Sequence, residues 1–143
     1  MSWSIRARAP TGDASSALTS GDVTAYLEDA AHVPGGHAAC VARPATEAAV
    51  AEVLRISPKV IVVGAQSSLT GGATPMGETV LSTGRLDRIE AIGHADVRVQ
   101  SGVTLDALDA ALAGHGRRYP PTPTFTGAFV GGVIATNAAG AAT

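Results

Sequence analysis

Lys59-Val60-Ile61-Val62-Val63-Gly64-Ala65-Gln66-Ser67-Ser68-Leu69-Thr70-Gly71-Gly72 is the stretch that decides the fold. Its first part is an unbroken run of β-branched apolar residues. That pattern predicts a parallel strand buried on both faces. The run leads straight into a loop with three glycines, two serines and a threonine, and no charge. Small residues let backbone N–H groups turn inward and approach an anion closely. The hydroxyls of Ser67, Ser68 and Thr70 add donors. The loop has neither the lysine of GxxxxGK[ST] nor the spacing GxGxxG, which excludes a P-loop and a Rossmann fingerprint. Taken alone, it reads equally well as a small-residue turn between two strands.

Upstream, the chain supplies the rest of a β-α-β unit. Ala39 to Arg43 predicts a short strand closed by Pro44. Thr46 is a suitable N-cap, with Glu47 in the positive first turn of the following helix. Val50, Val53 and Leu54 form its apolar stripe, and Ser57-Pro58 ends it. A crossover this short sets the two strands parallel. Before the unit, Asp22 can start a short helix with Val23, Tyr26, Leu27 and Ala30 on one face, ended by Pro34-Gly35-Gly36. Residues 1–20 lack periodicity and are read as a loose arm.

Downstream, Thr79 to Ser82, Arg88 to Ile92 and Asp96 to Ser101 predict strands. In the last, Val97, Val99 and Ser101 alternate with Arg98 and Gln100. Thr104 caps a helix carrying Leu105, Leu108 and Leu112 on one face, with Gly114 and Gly116 as left-handed stops. Arg117 to Tyr119 predicts a further short strand. A second glycine region follows. Pro120-Pro121-Thr122-Pro123-Thr124-Phe125-Thr126-Gly127 is stiff and polar. It leads into Gly131-Gly132-Val133-Ile134-Ala135-Thr136-Asn137-Ala138-Ala139-Gly140. The glycine pair permits close approach to the main chain, and Thr136 and Asn137 offer polar groups. The plainer alternative is a small-residue helix packed tightly on a sheet.

The bulk of the 143-residue chain narrows the function. Apolar residues make up 45%, aromatics only 3%, and the formal net charge is −2. That composition supports a packed α/β layer structure and offers no basic footprint for nucleic acid. The Arg117–Arg118 pair reads as a solvated strand edge. Cys40 is the single cysteine, which excludes a disulfide framework and reads as a small buried hydrophobe. Met1 to Pro10 has two arginines without an apolar segment behind them, unlike a secretory signal. No apolar stretch reaches the roughly 18 residues of a membrane span. A cytoplasmic location is expected, with no metal site. His32, His37, His94 and His115 lie outside both glycine regions and read as surface or capping residues.

In order, the chain shows Arg43-Pro44-Ala45-Thr46-Glu47, then VVGAQSSLTGG, then VQSGVTLDALDAALAGHGRRYPPTPT, then GGVIATNAAG. This series resembles the PCMH-type FAD-binding domain of FAD-linked oxidases of the vanillyl-alcohol oxidase type, nearest the glycolate oxidase and D-lactate dehydrogenase branch. The resemblance implies an α/β (α+β) fold, a small β-α-β sheet packed with helices. Residues 21–143 would form the first subdomain and the start of the second region of a truncated FAD-binding domain. It implies FAD contacts at Gly64, Ala65, Gln66, Ser67, Ser68, Leu69, Thr70, Gly71 and Gly72, around the pyrophosphate. Further along the cofactor it implies Pro121, Thr122, Thr124, Gly131, Gly132, Thr136, Asn137 and Gly140. Some relatives tether FAD through a histidine in the first loop; Gln66 stands here, so non-covalent binding is implied. The implied reaction is oxidation of a 2-hydroxy acid to the 2-oxo acid. Substrate contacts and the catalytic base would then lie in residues that this chain lacks. The alternative is a non-catalytic or inert truncated nucleotide-binding module.

Overall fold

Four strands build the first layer of the computed structural model, which describes residues 18–19, 22–121 and 123–140. Strand β1 (Leu18–Thr19) pairs antiparallel with β2 (Cys40–Ala42). Helix α1 (Glu47–Ile56) then carries the chain to β3 (Val60–Val63). Both β2 and β3 run parallel to β4 (Thr79–Ser82), which lies between them. β1 falls within the stretch expected to be a loose arm, so the sheet begins there. The remainder of 1–20 lies outside the described residues.

The alternation of strand side chains divides the core of this layer in two. Val41, Val63 and Val80 pack on one face, with Val23, Tyr26 and Ile61 against them. Ala42, Leu81 and Val53 pack on the other, beneath α1. Every residue of β4 is buried. β3 departs from expectation. It is an edge strand, and Val62 is 59% exposed. The all-apolar pattern of a doubly covered strand therefore belongs to a strand whose α1-side is covered only in part. The same narrow contact explains a second difference. Val53 is fully buried, whereas Leu54, expected in the stripe, is 53% exposed.

Local signals fix α1 as expected. The Thr46 hydroxyl accepts from the Ala49 N–H at 3.2 Å, and Ser57, extended before Pro58, ends the helix. The expected helix after Asp22 shrinks to a 3-10 turn, Thr24–Tyr26. The Asp22 carboxylate accepts from the Thr24 N–H at 2.9 Å. Past Tyr26 the chain leaves helical geometry, and Asp29 is buried while Ala30 is exposed.

A second layer follows β4. Strands β5 (Ile89–Ile92) and β6 (Val97–Val99) form an antiparallel pair with a bulge. Helices α2 (Leu105–Ala113) and α3 (Val130–Ala135) pack with them. Leu105, Leu108 and Leu112 of α2 are buried with Val103, Ala128, Val130 and Val133. Thr104 caps α2 by accepting from the Ala107 N–H at 3.1 Å. Gly116 is left-handed at φ +66°, but Gly114 is right-handed at φ −59°, so one glycine and not two makes the stop. Residues 117–119 form no strand. Instead the Arg117 guanidinium donates to the Gly93 carbonyl, and the Tyr119 N–H donates to Asp109 at 3.2 Å. These bonds replace the ladder that a strand would need. Cys40 is half-buried, its sulfur 3.6 Å from the Thr79 hydroxyl.

The two leucines make the division of the first layer measurable. Leu81→Ala should cost roughly 2–5 kcal/mol in urea denaturation, as a cavity beneath α1. Leu54→Ala should cost less than about 1 kcal/mol. Equal losses would contradict the narrow contact between α1 and the sheet.

Candidate functional site

Parallel pairing sends the carboxyl ends of β3 and β4 to one edge of the sheet. In open α/β sheets that edge is where loops gather around a ligand. Here β3 leaves into Gly64 and the small-residue loop, and β4 leaves into Thr83-Gly84. The two exits are tied together. Val63 O accepts from the Thr83 N–H at 3.0 Å and from the Thr83 hydroxyl at 3.3 Å.

The second glycine region reaches the same edge. Residues 101–105 run beside 126–131, with Val130 N–H donating to Val103 O at 2.9 Å and Gly131 N–H to Ser101 O at 2.9 Å. This places Phe129, the residue before α3, over both strand exits. A Cβ on Gly64 would lie 3.6 Å from its ring, and one on Gly84 would lie 3.7 Å from it. A cavity of about 280 Å³ opens beside the ring, with Gly84 and Thr104 in its wall. Phe129 stands outside every motif read from the sequence. The available signal was an aromatic two residues ahead of Gly131 in a chain with only two phenylalanines.

The first loop has a tied side and an untied side. The Gln66 carbonyl accepts from the Ala30 N–H at 2.9 Å, and its side-chain amide donates to Glu28 O at 2.6 Å. Gln66 is left-handed at φ +54°, and its side-chain amide is engaged by the Glu28 carbonyl. Within the loop, the Ser68 and Thr70 hydroxyls lie 2.8 Å apart, and each accepts from an amide two residues on, at Thr70 and Gly72. Asp29 accepts from the Ala73 N–H at 3.2 Å. Among the described residues, the amides of Ala65, Gln66, Ser67, Ser68, Leu69 and Gly71 donate no intramolecular hydrogen bond. Leu69 is 79% exposed at the tip. A row of uncharged donors suits an anion with several acceptor oxygens, such as a diphosphate. That donor set fits the pyrophosphate of a dinucleotide.

The glycines divide by what they meet. Gly71 is left-handed at φ +74°, and a Cβ there would lie 2.6 Å from Val33. A Cβ on Gly131 would lie 2.7 Å from that of Ser101. Both are required by packing within the protein. Nothing lies within 4 Å of the Cβ position of Gly132, which faces open space. Thr136 donates its hydroxyl to Gly132 O at 2.8 Å, and Asn137, left-handed at φ +49°, closes the helix. Pro121 is half-buried, Thr124 exposed and Gly140 half-buried. Thr122 lies outside the described residues.

The histidines stay clear of this edge's donors. His32 pairs with Glu28, His37 Nδ1 lies 2.9 Å from Gly35 O, and His115 Nδ1 lies 3.1 Å from Ala111 O at the end of α2. His94 is exposed. Two carboxyls titrate below their ordinary range, and neither belongs to the glycine loops. The Thr24 hydroxyl and amide hold Asp22 down, and the Met76 amide holds Glu78 down. Among the described residues no group of three His, Cys, Asp or Glu could hold a metal ion. No helix among them is long and apolar enough to cross a membrane.

Comparison with known proteins identifies the family. Residues 38–143 match the family described as FAD binding domain. A D-lactate dehydrogenase of Archaeoglobus fulgidus is 40% identical over 108 residues, 70% of this chain and 24% of that protein. A D-lactate dehydrogenase of Anaerostipes hadrus is 39% identical over 80 residues, 54% of this chain and 17% of that protein. The chain thus spans a quarter or less of the curated relatives it matches. Among solved structures, an alkyldihydroxyacetonephosphate synthase superposes with a TM-score of 0.74 at 16% identity, over 87% of this chain and 27% of that one. Cholesterol oxidase from B. sterolicum superposes at 0.61 and 22% identity, over 71% of this chain and 21% of that one. These two show a shared fold. The family match covers most of the sequence, including both glycine regions, so the chain belongs to the FAD binding domain family and FAD is its cofactor.

Proposed function

We propose that this chain is the FAD-holding part of a flavin-dependent oxidoreductase that converts a 2-hydroxy acid to the 2-oxo acid. One observation carries the placement of the cofactor: Phe129 joins the second glycine region to Gly64, where the first begins. The two D-lactate dehydrogenases it resembles support the substrate class. The amides of Ala65 to Leu69 and Gly71 hold the pyrophosphate. The open side of α3 at Gly132 takes the next part of the nucleotide, and Pro121 and Thr124 lie further along its path. Gly131, Thr136 and Asn137 shape α3, and Gly140 ends this stretch. When bound, FAD supplies the hydride acceptor. This chain's residues bind and orient it through neutral dipoles. No residue here is assigned as the base. The free Cys40 fits a reducing compartment, and we place the protein in the cytoplasm.

Gly132 is the position that tests the placement. Gly132→Val should leave ligand-free thermal stability unchanged or raised by up to about 1 kcal/mol, since valine is the better helix former. It should weaken FAD about tenfold in a flavin-fluorescence titration. Undiminished affinity would remove α3 from the site. Gly71→Val cannot serve this purpose. Its positive φ and contact with Val33 should cost more than about 1 kcal/mol with no flavin present.

The reaction class has its own test. Joined to a region that supplies substrate contacts and the base, this chain should carry an FAD whose visible absorbance is bleached by anaerobic D-lactate or glycolate; this chain by itself should bind FAD without bleaching. Saturable FAD binding with no bleaching by any 2-hydroxy acid in that joined protein would identify a nucleotide-binding module instead.

A further inference from the structure

Asp29 is the only charged side chain that is buried among the described residues, at 3% exposure. Its two oxygens accept three hydrogen bonds. Oδ1 takes the Ala31 N–H at 3.0 Å and the Thr74 hydroxyl at 3.3 Å; Oδ2 takes the Ala73 N–H at 3.2 Å. Next to it, Ala30 donates to the Gln66 carbonyl at 2.9 Å and Gln66 donates its side-chain amide to Glu28 O at 2.6 Å. One short turn, 28–31, therefore grips the loop at Gln66 near its start and at Ala73–Thr74 near its end. Between these grips lie four of the six amides that have no internal partner, those of Ser67, Ser68, Leu69 and Gly71.

A carboxylate is the group this position demands. Three donors converge on it, and only a carboxylate offers acceptors on both arms. An asparagine would turn an NH₂ either toward the Ala73 N–H or toward the Ala31 N–H. Burial makes the charge costly unless it is well bonded, so the sequence has reason to keep it only where those bonds matter. A loop held at both ends also binds with less ordering cost than a free one.

We infer that Asp29 is a positioning residue for the cofactor's diphosphate: it fixes both arms of the 66–74 loop so that the unused amides converge on one anion. The inference rests on the proposal that this loop takes the FAD pyrophosphate. Asp29 does not touch the ligand in this scheme. It acts through Ala73, Thr74 and the turn that holds Gln66.

The test uses FAD, with ADP and adenosine as competitors that differ only in the diphosphate. In Asp29→Asn, FAD and ADP should both weaken about tenfold, while adenosine stays within about twofold. Thr74→Val removes one donor, keeps the carboxylate and preserves volume; it should show the same pattern at about two- to fivefold. Should Asp29→Asn fail to fold, Thr74→Val decides the matter by its ADP-to-adenosine ratio. An equal loss for ADP and adenosine, or no loss for ADP, would overturn the positioning role. A wild-type chain that binds ADP no tighter than adenosine would instead sink the pyrophosphate assignment itself.

Discussion

The ring of Phe129 lies over two strand exits that carry no side chain. Gly64 follows β3 and Gly84 follows β4, and the ring sits at van der Waals distance from the Cβ position of each. An added Cβ at either position would meet the ring at ordinary contact distance, so the ring packs directly over both exits. The contact does two things at once. It joins the β2-β4-β3 core to the core of α2 and α3, and it brings the second glycine region to the edge where the first begins. Both effects depend on parallel pairing, because only parallel strands deliver β3 and β4 to the same edge.

Charge explains why the loop can work without a lysine. A diphosphate held by amide dipoles needs many donors in fixed directions, since each is worth little. Fixed direction requires an internal anchor. Here the anchor is itself anionic, yet its charge is satisfied by Ala31, Ala73 and Thr74. The loop thus separates two populations of donors. Those at 73 and 74 face a buried carboxylate, and those from 65 to 69 and at 71 stay available.

Much of this was legible in the sequence, for physical reasons that differ by element. Thr46 and Thr104 announce their helices because capping is local chemistry. Leu105, Leu108 and Leu112 announce a buried face because helical period is local geometry. The order of the four motifs identified the family and its cofactor. What failed depended on distant partners. Val60 to Val63 could not reveal an edge strand, since the partner on its open side is a matter of topology. Leu54 could not reveal its exposure, since that depends on how wide a sheet lies beneath α1. Asp29 carried no signal, because its donors at Ala73 and Thr74 lie more than forty residues away.

The glycines show where motif reading reaches its limit. Composition treats Gly71, Gly131 and Gly132 alike, as places where a ligand meets the backbone. Their surroundings separate them. Val33 claims the space at Gly71 and Ser101 claims it at Gly131, so any side chain at either position strains the protein before a cofactor arrives. Gly132 has no such claimant, and a helix interior gives no backbone reason for glycine there; it disfavours it. A residue that weakens its own helix while leaving space unfilled is better accounted for by something outside the chain than by packing within it. That asymmetry makes Gly132 stronger ground than the more conspicuous left-handed Gly71 for placing the nucleotide against α3.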